Sequence, residues 1–483
     1  MRKSAMAGLA VLGAAAAGAA GAGAVLSDAD RRNQLERQLR VWRLTARRGV
    51  HWGIVNLRGR RATEEERARL EERFAIRTAE DVAQVLGGMK GAIMKAGQML
   101  SFIADGLPPE AQAALATLQA DVPPMAPSLA EGVIRSELGA DPGQLFLDWD
   151  PVPVAAASIG QVHRAVMPDG RLVAVKVQYP GVDKAIKSDL DNAELLYGLF
   201  AQFALRNLDV KALVDELRAR MAEELDYRLE AACQAEFARR YDGHPFIRVP
   251  GVVPERSSQR VLTSDWVEGL RWDEFMATAD EAARQRAGEI LMRFAQGSIH
   301  RHGIFNGDPH PGNYRFHDDG SITFLDFGLV KRWGAGELEQ LTPCLDAILA
   351  RDADGLVKAA IGAGFLPSRH GFDPAFVLEY VSGPYEPFMQ DQFTYTRSWV
   401  AHALQRVIDL QGAYGDLIKV LNMPTSYVIL DRVVWGVSAL LGRLHATNTW
   451  RAILAEYRKG EPPATELGEV EAQWRAREQQ LRP

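Results

Sequence analysis

The stretch Asn306-Gly307-Asp308-Pro309-His310-Pro311-Gly312-Asn313, followed after a short predicted strand by Leu325-Asp326-Phe327-Gly328, decides the fold of this chain. Asp308 and Asn313 are five positions apart. This is the spacing at which phosphoryl-transfer enzymes place a loop aspartate and a metal-binding asparagine. Asp326 heads a D-F-G tripeptide, in which the aspartate supplies another oxygen ligand to Mg²⁺. Together the two stretches predict a site for phosphoryl transfer.

Two further features lie upstream, in the order that such a site requires. A turn at Pro168-Asp169-Gly170 separates two apolar runs, which predicts a β-hairpin with Lys176 on its second strand. A predicted helix then carries Glu223-Glu224-Leu225-Asp226-Tyr227-Arg228-Leu229-Glu230. The chemistry needs a lysine on the α- and β-phosphates, a helix glutamate that orients it, and a loop aspartate that positions the acceptor hydroxyl. ATP, or ADP, with Mg²⁺ is therefore the expected cofactor.

Each feature has a simpler interpretation when it is taken alone. A lysine after an apolar run is often only an exposed residue of a buried strand, and a D-F-G tripeptide arises by chance in many chains. His310 is compatible with a metal ligand or a phosphate contact, but the prolines on either side favour a role in shaping the loop. The correct order of all the features, each in suitable local structure, favours the phosphoryl-transfer site.

Two more motifs make a family resemblance specific. Ala155-Ala156-Ala157-Ser158-Ile159-Gly160-Gln161-Val162-His163 stands where a kinase has its glycine-rich loop, and Lys95-Ala96-Gly97-Gln98 stands in the helical region before it. With the features above, these motifs resemble the UbiB/AarF family of atypical kinases over residues 80–445. The resemblance implies an α+β, two-lobed protein-kinase-like fold, with an N-terminal helical KxGQ extension and a mostly helical C-terminal lobe.

The resemblance also implies a role for each matching residue. The implied catalytic residues are the phosphate-binding lysine, its helix partner, the loop aspartate and the KxGQ pair, that is Lys176, Glu230, Asp308, Lys95 and Gln98. The implied nucleotide-binding residues belong to the alanine-rich loop, the lysine, the hinge and the ExD pair: Ala155, Ala156, Ala157, Ser158, Lys176, Val267, Glu268, Glu224 and Asp226. Asn313 and Asp326 are the implied Mg²⁺ ligands. Alanine in place of glycine adds a Cβ, which limits close approach of the loop backbone to phosphate.

By the same resemblance, the chain is an atypical kinase of ATPase type that supports ubiquinone or related isoprenoid-lipid biosynthesis at a membrane. A phosphotransferase for a small molecule or lipid is one alternative, and a nucleotide-binding scaffold without turnover is another. No clear A-P-E follows the D-F-G, which disfavours a conventional signalling kinase. The expected protein partners are a lipid-biosynthesis complex and a second copy of the chain in a homodimer.

The N-terminal region predicts contact with a membrane. Residues 5–26 are only Ala, Gly, Leu, Val and Met, which is long enough to span a bilayer but weakly apolar, so a signal peptide is an alternative. Residues 31–61 contain ten arginines and one acid, which attracts anionic lipid and favours the cytoplasmic side. We expect the cytoplasmic face of a bacterial inner membrane. RNA binding by the same arginines is a weaker alternative, and the net charge of −6 gives no general attraction to nucleic acid.

These features divide the chain into five segments: an apolar anchor or targeting segment at 1–27, a basic and then helical KxGQ extension at 28–150, a kinase-like N-lobe with inserted helices at 151–268, a helical C-lobe at 269–460 and a polar tail at 461–483. We expect one helix over 273–302 and fraying of the polar tail. Cys233 and Cys344 form no CxxC pair and indicate structural thiols in a reducing compartment.

Overall fold

The computed structural model describes residues 125–157, 159–183, 224–408, 412–422 and 425–481. All of them except Asp183 belong to one of the two units into which the chain divides. The elements up to residue 265 are α1 (Pro127–Leu138), α2 (Pro142–Leu145), β1 (Asp148–Trp149), β2 (Ala155–Ala157), β3 (Gly160–Val166), β4 (Leu172–Gln178), α3 (Tyr227–Arg240), β5 (Ile247–Arg248) and β6 (Val261–Asp265).

An antiparallel sheet in the order β1-β3-β4-β6, with β2 also paired to β3, forms the N-terminal lobe. Alternate residues of β4 point inward, which buries Val173, Val175 and Val177 and turns Lys176 to the other face. The predicted hairpin is confirmed, since β3 and β4 pair across the turn at Gly170, whose φ of 86° suits glycine. The sheet therefore fixes which face of β4 presents the lysine.

Helix α1 covers the inner face of this sheet. Ala130, Val133 and Ile134 of α1 are buried in one cluster with the valines of β4. Strand β1 pairs with β3, so that Asp148 lies opposite Val166. Residues 127–149, which the sequence assigned to the helical extension, therefore share the core of the N-terminal lobe.

The rest of the described chain is mostly helical. Its elements are α4 (Trp272–Thr278), α5 (Glu281–Gln296), a π-helical turn (Gly297–His302), β7 (Ile304–Asn306), β8 (Tyr314–Phe316), β9 (Ile322–Phe324), β10 (Val330–Arg332), α6 (Glu337–Ala350), α7 (Ala353–Gly362), α8 (Pro374–Val381), β11 (Phe393–Thr394), α9 (Arg397–Ile408), α10 (Gly415–Val420), α11 (Thr425–Leu444), β12 (Thr447–Asn448), α12 (Trp450–Lys459) and α13 (Glu466–Leu481). Short sheets β5-β9-β8 and β7-β10 hold the loops that carry Asp308 and Asp326. None of the helices in the described ranges combines the length and apolar character that crossing a membrane requires.

The single helix expected over 273–302 is wrong, because the chain breaks between α4 and α5. Asp280 has extended backbone angles, and its side chain accepts a hydrogen bond from the Ala283 amide at 2.8 Å. This is an N-cap that begins a new helix. After α5 the chain continues as the π-helical turn, which ends at Gly303 with a φ of 64°.

The C-terminal segment forms the helix α13, so the expectation of a fraying tail is wrong. Glu471 of α13 is buried and accepts hydrogen bonds from Arg301 and Arg293. Arg293 of α5 also pairs with Glu289 at 2.7 Å and with Glu456 at 2.8 Å. We call Arg293, Glu289, Glu456 and Glu471 the anchor network. These buried ion pairs fasten α13 to α5, which a polar composition alone does not reveal.

Candidate active site

Lys176 and Glu230 form the centre of the site. The Lys176 ammonium donates to both carboxylate oxygens of Glu230, at 2.8 and 2.9 Å. Strand β4 positions the lysine, and the first turn of α3 positions the glutamate. The lysine also lies over the Tyr227 ring, 5.0 Å from its centroid. The predicted lysine and its predicted helix partner are thus brought together.

The D-F-G segment brings a second carboxylate to this lysine. Asp326 Oδ2 lies 3.6 Å from Lys176 Nζ, while Asp326 Oδ1 accepts from the Gly328 amide at 2.9 Å. Phe327 is buried and packs on Phe237 of α3 with ring centroids 4.7 Å apart. This aromatic contact fixes the D-F-G against the helix that carries Glu230.

The close charges shift the pKa values of the site. Burial lowers the pKa of Lys176, but Asp326 and Glu230 outweigh burial and hold that pKa well above its usual range. Burial raises the pKa of Glu230, Lys176 opposes this rise and Asp326 adds to it, and the net pKa is about 7. Lys176 therefore stays a cation at neutral pH, which is the state that a phosphate-binding lysine needs.

The two carboxylates of the ExD pair lie in different places. Glu224 lies close to Gly328 and Glu230: a Cβ on Gly328 would be 3.6 Å from the Glu224 carboxylate. Asp226 instead caps α3, accepting from the Arg228 amide at 3.1 Å and pairing with the Arg228 side chain at 2.6 Å. The structure thus brings Glu224 into the site and gives Asp226 a contact with the start of α3. We call Lys176, Glu230, Asp326 and Glu224 the lysine cluster.

The catalytic loop holds Asp308 and Asn313 together. Asn313 donates to the Asp308 carboxylate at 3.2 Å and to the Asp308 carbonyl at 3.1 Å. His310 accepts from the Gly312 amide at 3.1 Å, so it shapes the loop as the sequence suggested. Asn306 joins this loop to the D-F-G, because it accepts from the Asp308 amide and donates to the Asp326 carbonyl.

Arg432 is a site residue that sequence reasoning missed. It lies on α11, and its guanidinium pairs with the Asp308 carboxylate. Both side chains are largely buried. The oxygen of Asp308 that Arg432 contacts is Oδ1, whereas Asn313 contacts Oδ2, so the two residues together fix the carboxylate. No local motif marks Arg432, since its partner is 124 positions away.

The alanine-rich loop includes a short strand at the edge of the N-terminal sheet. Ala155, Ala156 and Ala157 form β2 and pair with β3, Ala157 lying opposite Gly160. A Cβ on Gly160 would be 2.2 Å from the Val177 carbonyl oxygen, so only glycine fits this approach of β3 to β4. The loop therefore belongs to the same sheet as Lys176, and β3 lies between the loop and the strand that carries the lysine.

Gln161 and His163 of the same motif are structural. Both are buried, and their side chains contact each other at 2.9 Å. Gln161 accepts from the Met125 amide, and His163 contacts the Asp150 carbonyl, each at 2.9 Å. Burial lowers the pKa of His163. These two side chains fasten the segments before β2 to the sheet.

The predicted hinge residues Val267 and Glu268 lie between β6 and α4, where the chain leaves the sheet for the helical part. The Trp266 amide before them donates to the Leu172 carbonyl at 3.0 Å, and the Leu270 amide after them donates to Phe316 at 2.8 Å. Glu268 is exposed. The hinge is thus held at both ends by backbone hydrogen bonds.

Several predicted residues lie outside the described ranges. These are Lys95, Gln98 and Ser158, together with the apolar segment 5–26 and the arginine-rich stretch 31–61.

The donor set fits ATP with Mg²⁺. Asp326 and Asn313 offer the hard oxygen ligands that Mg²⁺ prefers, and Mg²⁺ commonly uses one or two carboxylates together with phosphate oxygens. The Lys176 side chain is 19% exposed and that of Asp326 is 28% exposed, so both are reachable from solvent. A fixed lysine charge beside an accessible carboxylate suits a metal-bound phosphate chain.

Comparison with known proteins finds similarity to kinase-like proteins. A family model described as the ABC1 atypical kinase-like domain matches residues 117–360. An aarF domain-containing protein kinase of Arabidopsis thaliana chloroplasts is 34% identical over 64% of this chain and 44% of its own length. Activity of BC1 complex kinase 8, from the same chloroplasts, is 32% identical over 56% of this chain and 37% of its own length. This chain spans about half the length, or less, of most of the curated relatives it matches, and 71% of one from Synechocystis.

A solved structure is also similar. Rv3197 of Mycobacterium tuberculosis, determined in complex with erythromycin, superposes with a TM-score of 0.61 at 33% identity. The match covers 83% of this chain and all of that one. The family-model match at residues 117–360 includes the lysine cluster and the catalytic loop.

Proposed function

This chain belongs to the ABC1 family of atypical kinases, also named UbiB/aarF, and we propose on that basis that it binds ATP with Mg²⁺ and hydrolyses it at the lysine cluster. The observation that carries the proposal is the contact of Lys176 with both Glu230 and Asp326. That contact aligns a phosphate-binding cation with a metal-binding carboxylate. It is the pairing on which phosphoryl transfer in the kinase fold depends.

The proposed work of each residue follows from its contacts. Mg²⁺, when bound, would neutralise charge on the phosphates, and Asp326 and Asn313 are the residues that would hold it. Glu230 orients Lys176, whose ammonium binds the phosphates. Asp308, fixed by Arg432 and Asn313, presents a carboxylate that accepts a proton from the attacking hydroxyl or water.

We place this activity at a membrane containing anionic lipid, in support of ubiquinone or a related isoprenoid-lipid pathway. The arginine-rich stretch 31–61 supports the lipid contact, because clustered arginines attract anionic headgroups. The pathway rests on resemblance to the family. Nucleic acid is not part of the proposal.

The experiment measures phosphate release from Mg-ATP by the full chain, with vesicles of neutral phosphatidylcholine or with vesicles that also contain anionic phosphatidylglycerol. We expect release that increases with anionic lipid and is lost in Asp326→Asn. Asp273→Asn is the matched control, because that side chain is 95% exposed and lies on α4. Equal release by Asp326→Asn and the wild type would refute the proposed site.

Phosphotransfer to a small molecule or lipid is a second candidate, favoured by the position of Asp308. Its carboxylate is held at both oxygens, which suits a group that positions an acceptor hydroxyl. Transfer of labelled γ-phosphate into a lipid extract would identify this activity. ATP binding without release or transfer would instead identify a scaffold.

A further inference from the structure

A cavity of about 340 Å³ lies within the helical part of the chain, among α6, α7, α8 and α11. Small-molecule sites commonly have volumes of roughly 300–1,000 Å³. The wall includes Ile348, Leu356, Ala360 and Val377, which are all buried. The cavity is separate from the lysine cluster, none of whose residues lines it.

Asp431 alone carries a charge among the described residues of this wall. Burial raises the pKa of Asp431 to about 6, and Trp435, one turn along α11, is its hydrogen-bond neighbour. In the described ranges no lysine, arginine or histidine forms an ion pair with Asp431. A carboxylate without a cationic partner in an apolar wall is costly for the fold.

Aromatic side chains surround this carboxylate. Tyr380 and Tyr385 line the cavity. Burial is the largest cause that raises the pKa of both phenols, and the charge of Asp431 is the second. The Tyr380 hydroxyl already donates to the Val407 carbonyl at 3.0 Å, so it is not a donor for Asp431. Aromatic faces attract cations, as a buried carboxylate does.

We propose that this cavity binds an apolar amine, whose ammonium group pairs with Asp431 and whose hydrocarbon part lies against the aliphatic and aromatic wall. Binding of such an amine is favourable for two reasons: it fills an apolar cavity, and it supplies a cation for the buried carboxylate. The site needs no nucleotide, so it is independent of the proposed ATPase activity.

The test compares two probes of equal shape, 4-phenylbutylamine and 4-phenylbutan-1-ol. Calorimetric titration of the full chain in phosphatidylcholine nanodiscs, without detergent or nucleotide, gives the dissociation constant of each. We expect the amine to bind tighter than the alcohol by about tenfold, as hydrogen bonds to charged groups are stronger than neutral ones. Equal affinities would overturn the assignment of a cation site, and so would the absence of saturable amine binding.

Substitutions in the wall of the cavity test whether the two probes bind there. Asp431→Asn should weaken the amine about tenfold and leave the alcohol unchanged. Asp354→Asn is the matched control, because Asp354 is exposed on α7, the helix that contributes Leu356 and Ala360. Ala360→Phe should fill the cavity and remove both probes, and Val381→Phe tests the same prediction if Ala360→Phe does not fold. Amine binding that survives Asp431→Asn unchanged would refute the proposal.

Discussion

The lysine cluster and the anchor network are two groups of charged side chains inside the same part of the chain, and solvent reaches them to different extents. In the anchor network the Arg293 side chain is fully buried, and its three carboxylate partners are each less than 10% exposed. In the lysine cluster Lys176 and Asp326 are both reachable. The anchor network is closed by its own contacts, whereas the lysine cluster leaves charged atoms exposed to solvent.

Apart from solvent exposure, the two groups of charged side chains are alike. Both contain a basic residue among several carboxylates, and in both the neighbouring acids outweigh burial and raise the pKa of the base. The type of charge and the direction of the pKa shift therefore do not separate the two groups. The solvent exposure of the side chains does separate the two groups, together with the position of the lysine cluster beside the loop that carries Asp308 and Asn313.

The largest expected effect is on stability and belongs to the anchor network. Arg293→Ala leaves buried carboxylates without a cation, which should lower the free energy of unfolding by about 3–5 kcal/mol. Urea denaturation of the full chain followed by circular dichroism measures it. Arg248→Ala is the control, because its ion pair with Asp319 is half exposed and is worth less than about 1 kcal/mol. A loss for Arg293→Ala no larger than that of the control would contradict the structural role.

A smaller effect, on turnover, is expected at Arg432. Arg432→Gln releases one oxygen of Asp308, and loss of this positioning should slow phosphate release roughly 10²-fold. The affinity for Mg-ATP should stay unchanged, because the ion pair of Arg432 is with Asp308 of the catalytic loop. Steady-state release and equilibrium binding separate the two quantities.

Arg443→Gln on the same helix is its matched control, since Arg443 stacks on Trp272 and pairs with Asp273, not with Asp308. If Arg432→Gln weakened ATP binding as much as it slowed release, the positioning role would be wrong.

The smallest effect is expected at Asp226, where the structure shows a helix cap. Asp226→Ala should cost about 1 kcal/mol of stability through the start of α3. Its effect on Mg-ATP affinity should be smaller than that of Glu224→Ala, because only Glu224 lies beside the D-F-G. Thermal unfolding and ATP titration of the two variants check this. The reverse order of affinities would restore Asp226 as a nucleotide ligand.

The sequence predicts those parts of the site whose residues are placed by short local patterns. Lys176, Asp308, Asn313 and Asp326 each belong to a strand, turn or loop of fixed spacing, and the hairpin beside Lys176 follows from a turn between two apolar runs. The pairing of Lys176 with Glu230 comes from the order of the motifs and the family resemblance.

Long-range contacts could not be predicted in this way. Arg432 meets Asp308 across 124 positions, and Arg293 meets Glu471 across 178, so both depend on how helices pack. Other misses had a visible signal: Asp280 begins α5 as an N-cap, and Thr465 accepts from the Gly468 amide at the start of α13. Ser, Thr and Asp before an acidic residue are typical helix starts.

We propose that the lysine cluster binds ATP through Mg²⁺, and the most direct test is ATP binding as a function of Mg²⁺ concentration. Wild-type full chain and Asp326→Asn are titrated with ATP at increasing Mg²⁺, with Asp273→Asn as control. We predict that Mg²⁺ strengthens ATP binding to the wild type and to the control but not to Asp326→Asn. A Mg²⁺ dependence that is the same in all three proteins would contradict Mg²⁺ binding at Asp326.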